Sequence, residues 1–200
     1  MMAGADPNLR DGKAYCPLHL AAEAGHHRLT GVLLRKGARE DAANEFQETP
    51  LHLAASKGRA LDAVRALLDA GAGVNPKAGE NGDCTPLHVA VVDRRMSSIC
   101  TIRALLEGGS DVNVRNDYDH TPLHVACMCI SVSAVELLPR WGADEMLKDD
   151  DGSTPADVIG EIGDGDLTDE EIETDHTSAF AECWRALQST GHGVAAAGWC

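Results

Sequence analysis

Apolar residues come in short paired runs, separated by polar stretches that contain glycine. CPLHLAA (16–22), TPLHLAA (49–55), TPLHVAV (85–91), TPLHVAC (121–127) and TPADVIG (154–160) each open a unit, and VLL (32–34), VRALL (64–68), IRALL (102–106) and VELL (135–138) follow the first four. The opening runs read as helix starts. Thr49, Thr85, Thr121 and Thr154 each offer a capping oxygen, and the Pro that follows has no N–H to lose and a φ already suited to the first turn. Leu-His-Leu/Val-Ala then gives a short helix whose small residues admit a close neighbour. The second run predicts another helix, antiparallel to the first because the connection is short. Gly25 and Gly58 end the first helices, and Gly37, Gly71, Gly109 and Gly142 turn the chain into a loop before the next Pro. Asn81-Gly82 is the strongest tight-turn dipeptide among those loops.

The five prolines stand 33, 36, 36 and 33 residues apart, and the loop glycines keep step with them at intervals of 13, 15, 13 and 13. With this period and the recurring T-P-L-H-x-A, the array resembles ankyrin repeats over residues 4 to about 162. The resemblance implies an all-α ankyrin-repeat solenoid of stacked helix-turn-helix units with β-hairpin loops. Residues 1–15 are expected to be the partial hairpin of a truncated upstream repeat, which would leave an apolar edge exposed. Residues 16–162 are expected to hold four full units and a degenerate fifth. Residues 163–190 are expected to be an acidic linker and a C-terminal capping helix, in which Phe180, Cys183, Trp184 and Leu187 recur at helical spacing. Residues 191–200 are expected to be a flexible tail.

Several residues depart from the pattern. Cys16 replaces the capping Thr of the first unit, a change expected to cost about 1 kcal/mol if nothing substitutes. The third unit runs VVDRRMSSICT, which predicts an enlarged loop around Arg94 and Arg95. Pro139 lies in the last turn of the fourth unit's second helix and should end it early. Asp119 takes the position that Gly152 fills one unit later, tolerable because Asp enters the left-handed region more readily than most residues.

Composition narrows the function classes. Hydrophobic residues make up 44% of the chain, enough for a core, but aromatics only 4%, which predicts thin layers rather than one large centre. The net charge of −15 is uneven: 13 basic and 13 acidic residues in 1–110, against 4 and 19 in 111–200. Fourteen acids lie between Asp144 and Asp175, which disfavours nucleic acid and anionic membranes as partners. No signal peptide and no run of about 18 apolar residues occurs, so the expected location is the cytoplasm, with the nucleus as the alternative. Seven cysteines without a CxxC signal neither a disulfide framework nor a structural zinc.

Catalysis and metal binding find little support. His19, His52, His88 and His124 share one motif position on successive layers, and layers about 10 Å apart cannot put two such nitrogens at the ~2.0–2.1 Å zinc requires. The resemblance gives this His a structural hydrogen bond between loop and helix. His124 with Cys127 could suggest a base and a thiolate, but no third group orients them, and packing is the better account. Cys129 reads as a groove residue. The acidic run KDDDGSTPADV would put Leu147 and Val158 at the first and last calcium-ligand positions, where neither can bind. No enzyme, cofactor or metal is expected.

Function must then come from a surface. The resemblance implies partner binding by loop tips and first helices lining a concave groove. Carried over by position, the partner-binding candidates are Tyr15, Glu45, Phe46, Glu48, Lys57, Asp93, Asp117, Tyr118, His120, Met128, Asp150 and Asp151, with Lys13, Glu23, Cys84 and Ser153 alongside. Phe46 and Tyr118 stand out, because a tip aromatic either buries much area against a partner or lies against a neighbouring finger. The expected function is a non-catalytic, monomeric protein-interaction scaffold for a partner with a basic surface. The alternative is a recognition fragment of a larger protein, such as a ubiquitin-ligase substrate adaptor or a regulated enzyme.

Overall fold

The computed structural model describes residues 5–57, 60–79, 82–93, 98–159, 181–183 and 185–187. Four helices begin at the motif prolines: α1 (Pro17–Glu23), α3 (Pro50–Ala55), α5 (Pro86–Val92) and α7 (Pro122–Met128). Each opens with a reciprocal capping box between the residue before the Pro and the His at the third helical position. Each is followed by a partner helix: α2 (His27–Arg35), α4 (Leu61–Asp69), α6 (Ser98–Glu107) and α8 (Val132–Leu137). Pro139 ends α8 as expected. A 3-10 turn, Leu138–Trp141, carries the chain on to Gly142 at φ 88°.

Two rows of helices result. α1, α3, α5 and α7 pack side by side, α2, α4, α6 and α8 do the same, and each pair is joined within its layer. This is the all-α solenoid that the repeat period predicts. The core is a continuous seam: Leu18, Leu51, Leu87 and Leu123 from the first row, with Leu67, Leu105 and Leu138 from the second, have no exposed surface. Burying each such Leu is worth about 1.5–3 kcal/mol, and the seam exists only because layers abut.

Left-handed residues fall where the turns need them. Asp119 at φ 57° and Ile130 at φ 52° take up the positions that glycines fill in other units. The loops fold back through turn bonds, and one isolated antiparallel bridge joins Ala78 and Cys84.

Two expectations are corrected. The fifth Thr-Pro starts turns rather than a helix over 155–159, although the cap itself forms: Thr154 donates through N–H and Oγ1 to Asp157 Oδ2 at 2.9 and 2.7 Å. These bonds hold the Asp157 carboxyl below the usual range. Ala156 replaces the Leu that anchors the other first helices, so less apolar surface recommends a helix there. Cys129, expected in the groove, is 5% exposed and belongs to the core.

Gly58, Asn81, the loop around Arg94 and Arg95, the acidic linker, Phe180, Trp184 and residues 191–200 lie outside the described residues. Residues 181–183 and 185–187 are helical, and Cys183, Ala186 and Leu187 are buried in the same cluster as Cys127, Leu138 and Val158.

Candidate functional site

The loops between layers form a row of fingers, and one side chain organises four of them from within. Asp11 Oδ1 accepts the N–H of Lys13 and Tyr15, Asn44 Oδ1 those of Phe46 and Glu48, Asn116 Oδ1 those of Tyr118 and His120, and Asp149 Oδ1 those of Asp151 and Ser153, all at 2.8–3.1 Å. An Asp or Asn closes each tip over its own backbone, which fixes the direction of the side chains between. The third finger is longer, and there Ala78 N–H donates to Cys84 O at 2.9 Å.

Three sets of bonds then tie each finger to the next layer. His19, His52, His88 and His124 accept the N–H of the capping residue on Nδ1 at 3.1–3.2 Å. That leaves Nε2 to carry the proton, and it donates to the carbonyls of Glu48, Cys84, His120 and Ser153 at 3.0–3.2 Å. Backbone bonds join the tips: Glu45 N–H to Lys13 O, Gly79 to Phe46 O, Asp117 to Gly82 O and Asp150 to Tyr118 O. At the finger bases, Asn8 Oδ1 accepts from Arg39 N–H, Asp41 from Gly73, Asn75 from Asp111 and Asn113 from Asp144.

The motif histidines are therefore frame, and their chemistry follows. Burial pushes the imidazoles of His52 and His124 below the usual range and that of His88 down to about 4, the carbonyl bonds opposing. Burial raises the Cys127 thiol well above its ordinary value, helped by Cys183. Neither nitrogen of His124 is free for proton transfer, so the His124–Cys127 pair has no base to offer. In the first layer Cys16 keeps the box: its Sγ lies 3.0 Å from His19 Nδ1, so the expected loss of the cap is made good.

The candidates fall in two settings. At fingers one and two, Tyr15 is half-buried with its ring 5.5 Å from that of His19, and burial together with the Glu48 carboxylate raises its phenol. Glu48 is not free: Asn44 Nδ2 donates to its Oε2 at 2.8 Å. Glu45 is exposed, and Phe46 is half-buried. At fingers four and five, Asp117, Asp150 and Asp151 are exposed, and Tyr118 is 48% exposed. The Tyr118 ring lies over Gly82 of the preceding finger, so close that a Cβ there would stand 2.6 Å from Cε2. It thus rests on a neighbouring finger while keeping nearly half of its surface exposed. His120 lies between Tyr118 and His124, tilted against the first ring and stacked on the second, with ring centroids 5.8 Å from each, and its Nε2 lies 3.5 Å from the buried carboxylate of Asp149. Arg115 is 3.1 Å from Asp119 and donates to Lys148 O.

Lys57, Asp93 and Met128 lie apart from the tips, at the far ends of α3, α5 and α7. Lys57 reaches Glu23 at 3.7 Å, Asp93 O accepts from Ser98 Oγ at 2.7 Å, and Met128 packs on the core. Sequence reasoning missed the tip organisers. Asp11, Asn44, Asn116 and Asp149 all stand five residues before the capping residue, a recurrence interrupted only in the third unit.

Comparison with known proteins agrees with this architecture. Residues 1–78 and 73–149 match the family model described as ankyrin repeats (3 copies). The chain is 34% identical over 138 residues to putative palmitoyltransferase ZDHHC13 of Danio rerio and 34% identical over 161 residues to ankyrin repeat and SOCS box protein 16 of Homo sapiens. It is also 37% identical over 136 residues to human B-cell lymphoma 3 protein. These matches cover 69%, 77% and 64% of the chain but only 21%, 35% and 29% of the three relatives. No helix among the described residues is long and apolar enough to cross a membrane.

Proposed function

The chain belongs to the ankyrin-repeat family, and from that premise we propose that it is a non-catalytic scaffold whose finger tips and first-row helices bind a partner protein with a basic surface. Proteins of this family serve in general as protein-interaction modules. One observation carries the specific reading: fingers four and five present Asp117, Asp150 and Asp151 to solvent together with the exposed Tyr118, on loops held from within by Asn116 and Asp149. A rigid acidic tip with an aromatic centre loses little entropy on binding and gains both area and charge.

The non-catalytic part rests on the motif histidines, whose ring nitrogens are engaged in the frame, and on Cys127, which burial keeps protonated. The helical residues 181–183 and 185–187 cap the scaffold, a role supported by the burial of Cys183, Ala186 and Leu187 in the same cluster as the last layers. The scaffold acts as a monomer in the cytoplasm.

Affinity capture with mass spectrometry, comparing wild type with a Phe46→Ala/Tyr118→Ala variant, tests this reading. Basic partners should be lost from the variant and should elute as salt rises. Equal recovery of the same partners by both proteins would overturn the assignment. A second reading is favoured by the length of the relatives: the array supplies recognition within a larger protein, such as a ubiquitin-ligase substrate adaptor or a regulated enzyme. Ubiquitin transfer onto a captured partner, dependent on this chain, distinguishes the adaptor.

A further inference from the structure

In three units the residue just before the cap reaches across to the organiser of the next finger. Tyr15 shares a side-chain hydrogen bond with Asn44, and Asn116 Nδ2 donates to Cys84 Sγ at 3.8 Å. In the fourth unit this position holds His120, whose Nε2 faces Asp149 Oδ2 at 3.5 Å. Here alone of the three both members can carry charge. The Asp149 side chain is 2% exposed, and its Oδ1 accepts the N–H groups of Asp151 and Ser153. Among the described residues, His120 is the one basic group within 4 Å of that carboxylate. The backbone of His120 is pinned at both groups: its N–H donates to Asn116 Oδ1 and its carbonyl accepts from His88 Nε2. A change at the imidazole is therefore passed on through the ring contact to Tyr118 and through Asp149 to finger five.

We propose that His120 is a proton-operated clasp between fingers four and five, and that its closing regulates the acidic tip. The proposal rests on the basic-partner reading of that tip. Imidazole is the side chain that ordinarily changes charge between pH 5 and 8. At 3.5 Å the pair is looser than a charge-assisted N–H···O bond, which runs at about 2.7–2.9 Å, so a proton on His120 draws the two fingers together. Tyr118 moves with the ring, and Asp151 and Ser153 move with the carboxylate that holds them. The new positive charge lies in the same two fingers as Asp117, Asp150 and Asp151 and weakens their attraction for a basic partner, which is held at neutral pH and released in acid. The other titratable and charged groups around this ring are Tyr118 and Arg115 of finger four, His124 of α7 and His88 of α5. Arg115 is paired with Asp119, and burial makes His88 and His124 harder to protonate than an ordinary imidazole.

The test uses the full chain and reads clasp and tip separately from about pH 7.5 to about pH 5.5. In NMR spectra the Tyr118 ring signals and the Asp151 and Ser153 amide signals should follow the His120 ring signals along one titration curve. Asp149→Asn keeps finger five closed as Asn44 and Asn116 close theirs but removes the carboxylate, and should abolish the response of the two amides. His120→Gln should abolish the whole response. Signals that still titrate in His120→Gln belong to His88 or His124 and overturn the clasp, and so do Tyr118 and finger-five signals that stay fixed while His120 titrates. Fluorescence anisotropy with an Arg-Gly repeat peptide, whose charge is constant over this range, reads the tip. Wild type should bind it at least about fivefold more weakly at the acid end, and His120→Gln should change by less than about twofold. An equal change in both proteins overturns the regulation even where the NMR coupling holds. A peptide that binds at neither end, with the coupling intact, overturns the regulation by removing the basic-partner reading beneath it, whereas lost coupling with binding intact strikes the clasp alone.

Discussion

The first two layers carry nearly the same motif and have nearly the same internal bonds, yet they differ in what they bury. His19 and His52 make the same pair of contacts, and Leu18 and Leu51 are both fully buried. But Leu20 is 56% exposed where Leu53 is 8%, and Leu29 is 47% exposed where Ala63 is 0%. The only buried residue of α2 is Thr30, whereas α4 buries Ala63, Val64 and Leu67. The motif therefore sets the geometry inside a layer, and the neighbouring layer supplies the burial. Stability in such a stack is a sum of local and nearest-neighbour terms, so an outer layer holds less of it than an inner one.

The sharpest way to break this comparison is by truncation. Leu67→Ala should cost about 2–5 kcal/mol, because Leu67 is closed in on every side, while Leu29→Ala should change stability by less than about 0.5 kcal/mol. Urea unfolding of the two variants checks it, and similar losses would contradict the account.

Acid should act next most strongly. The folded pKa of His88 is about 4 against about 6.5 unfolded, so between those values the unfolded chain binds the extra proton. The stability His88 contributes is complete above about pH 6.5 and is lost as pH falls towards 4, to at most about 3 kcal/mol. His52 and His124, lowered in the same direction, add to the loss. Unfolding midpoints between pH 7 and 4.5 measure it, and His88→Asn should flatten the dependence.

A smaller effect has the opposite sign. Thr101 occupies the position of Leu29 and Ala63 in the third layer, and its Oγ1 is buried with no hydrogen-bond partner among the described residues. Thr101→Val keeps the shape and removes the orphaned hydroxyl, so it should raise stability by up to about 1 kcal/mol in the same urea assay. The smallest effect belongs to the first layer. Cys16→Thr should change stability by less than about 0.5 kcal/mol, because the Cys16 thiol already lies against His19 Nδ1.

The starts of α1, α3, α5 and α7 were legible to the residue, since the Pro fixes the first φ and the residue before it the cap, and the period supplied the stack. The tips were legible only in outline. Asp11, Asn44, Asn116 and Asp149 act through hydrogen bonds to their own backbone, which leave no trace in hydrophobic periodicity, and the two extra residues of the third finger break their recurrence. The pose of Tyr118 depends on the missing side chain of Gly82, a residue 36 positions away in another unit. The fifth unit misled because the cap signal survives, with Asp157 in place of His, after the Leu that makes a helix worth packing has gone. Glu48 looked free by position, and only the fold reveals that Asn44 holds it.

Amide hydrogen exchange resolved along the chain tests the layered account most directly. Protection should be highest in α3, α4, α5 and α6 and should fall in α1 and α2, despite their matching motif bonds. Uniform protection from α1 to α8, lost in one step, would mean a single shared core and would contradict it.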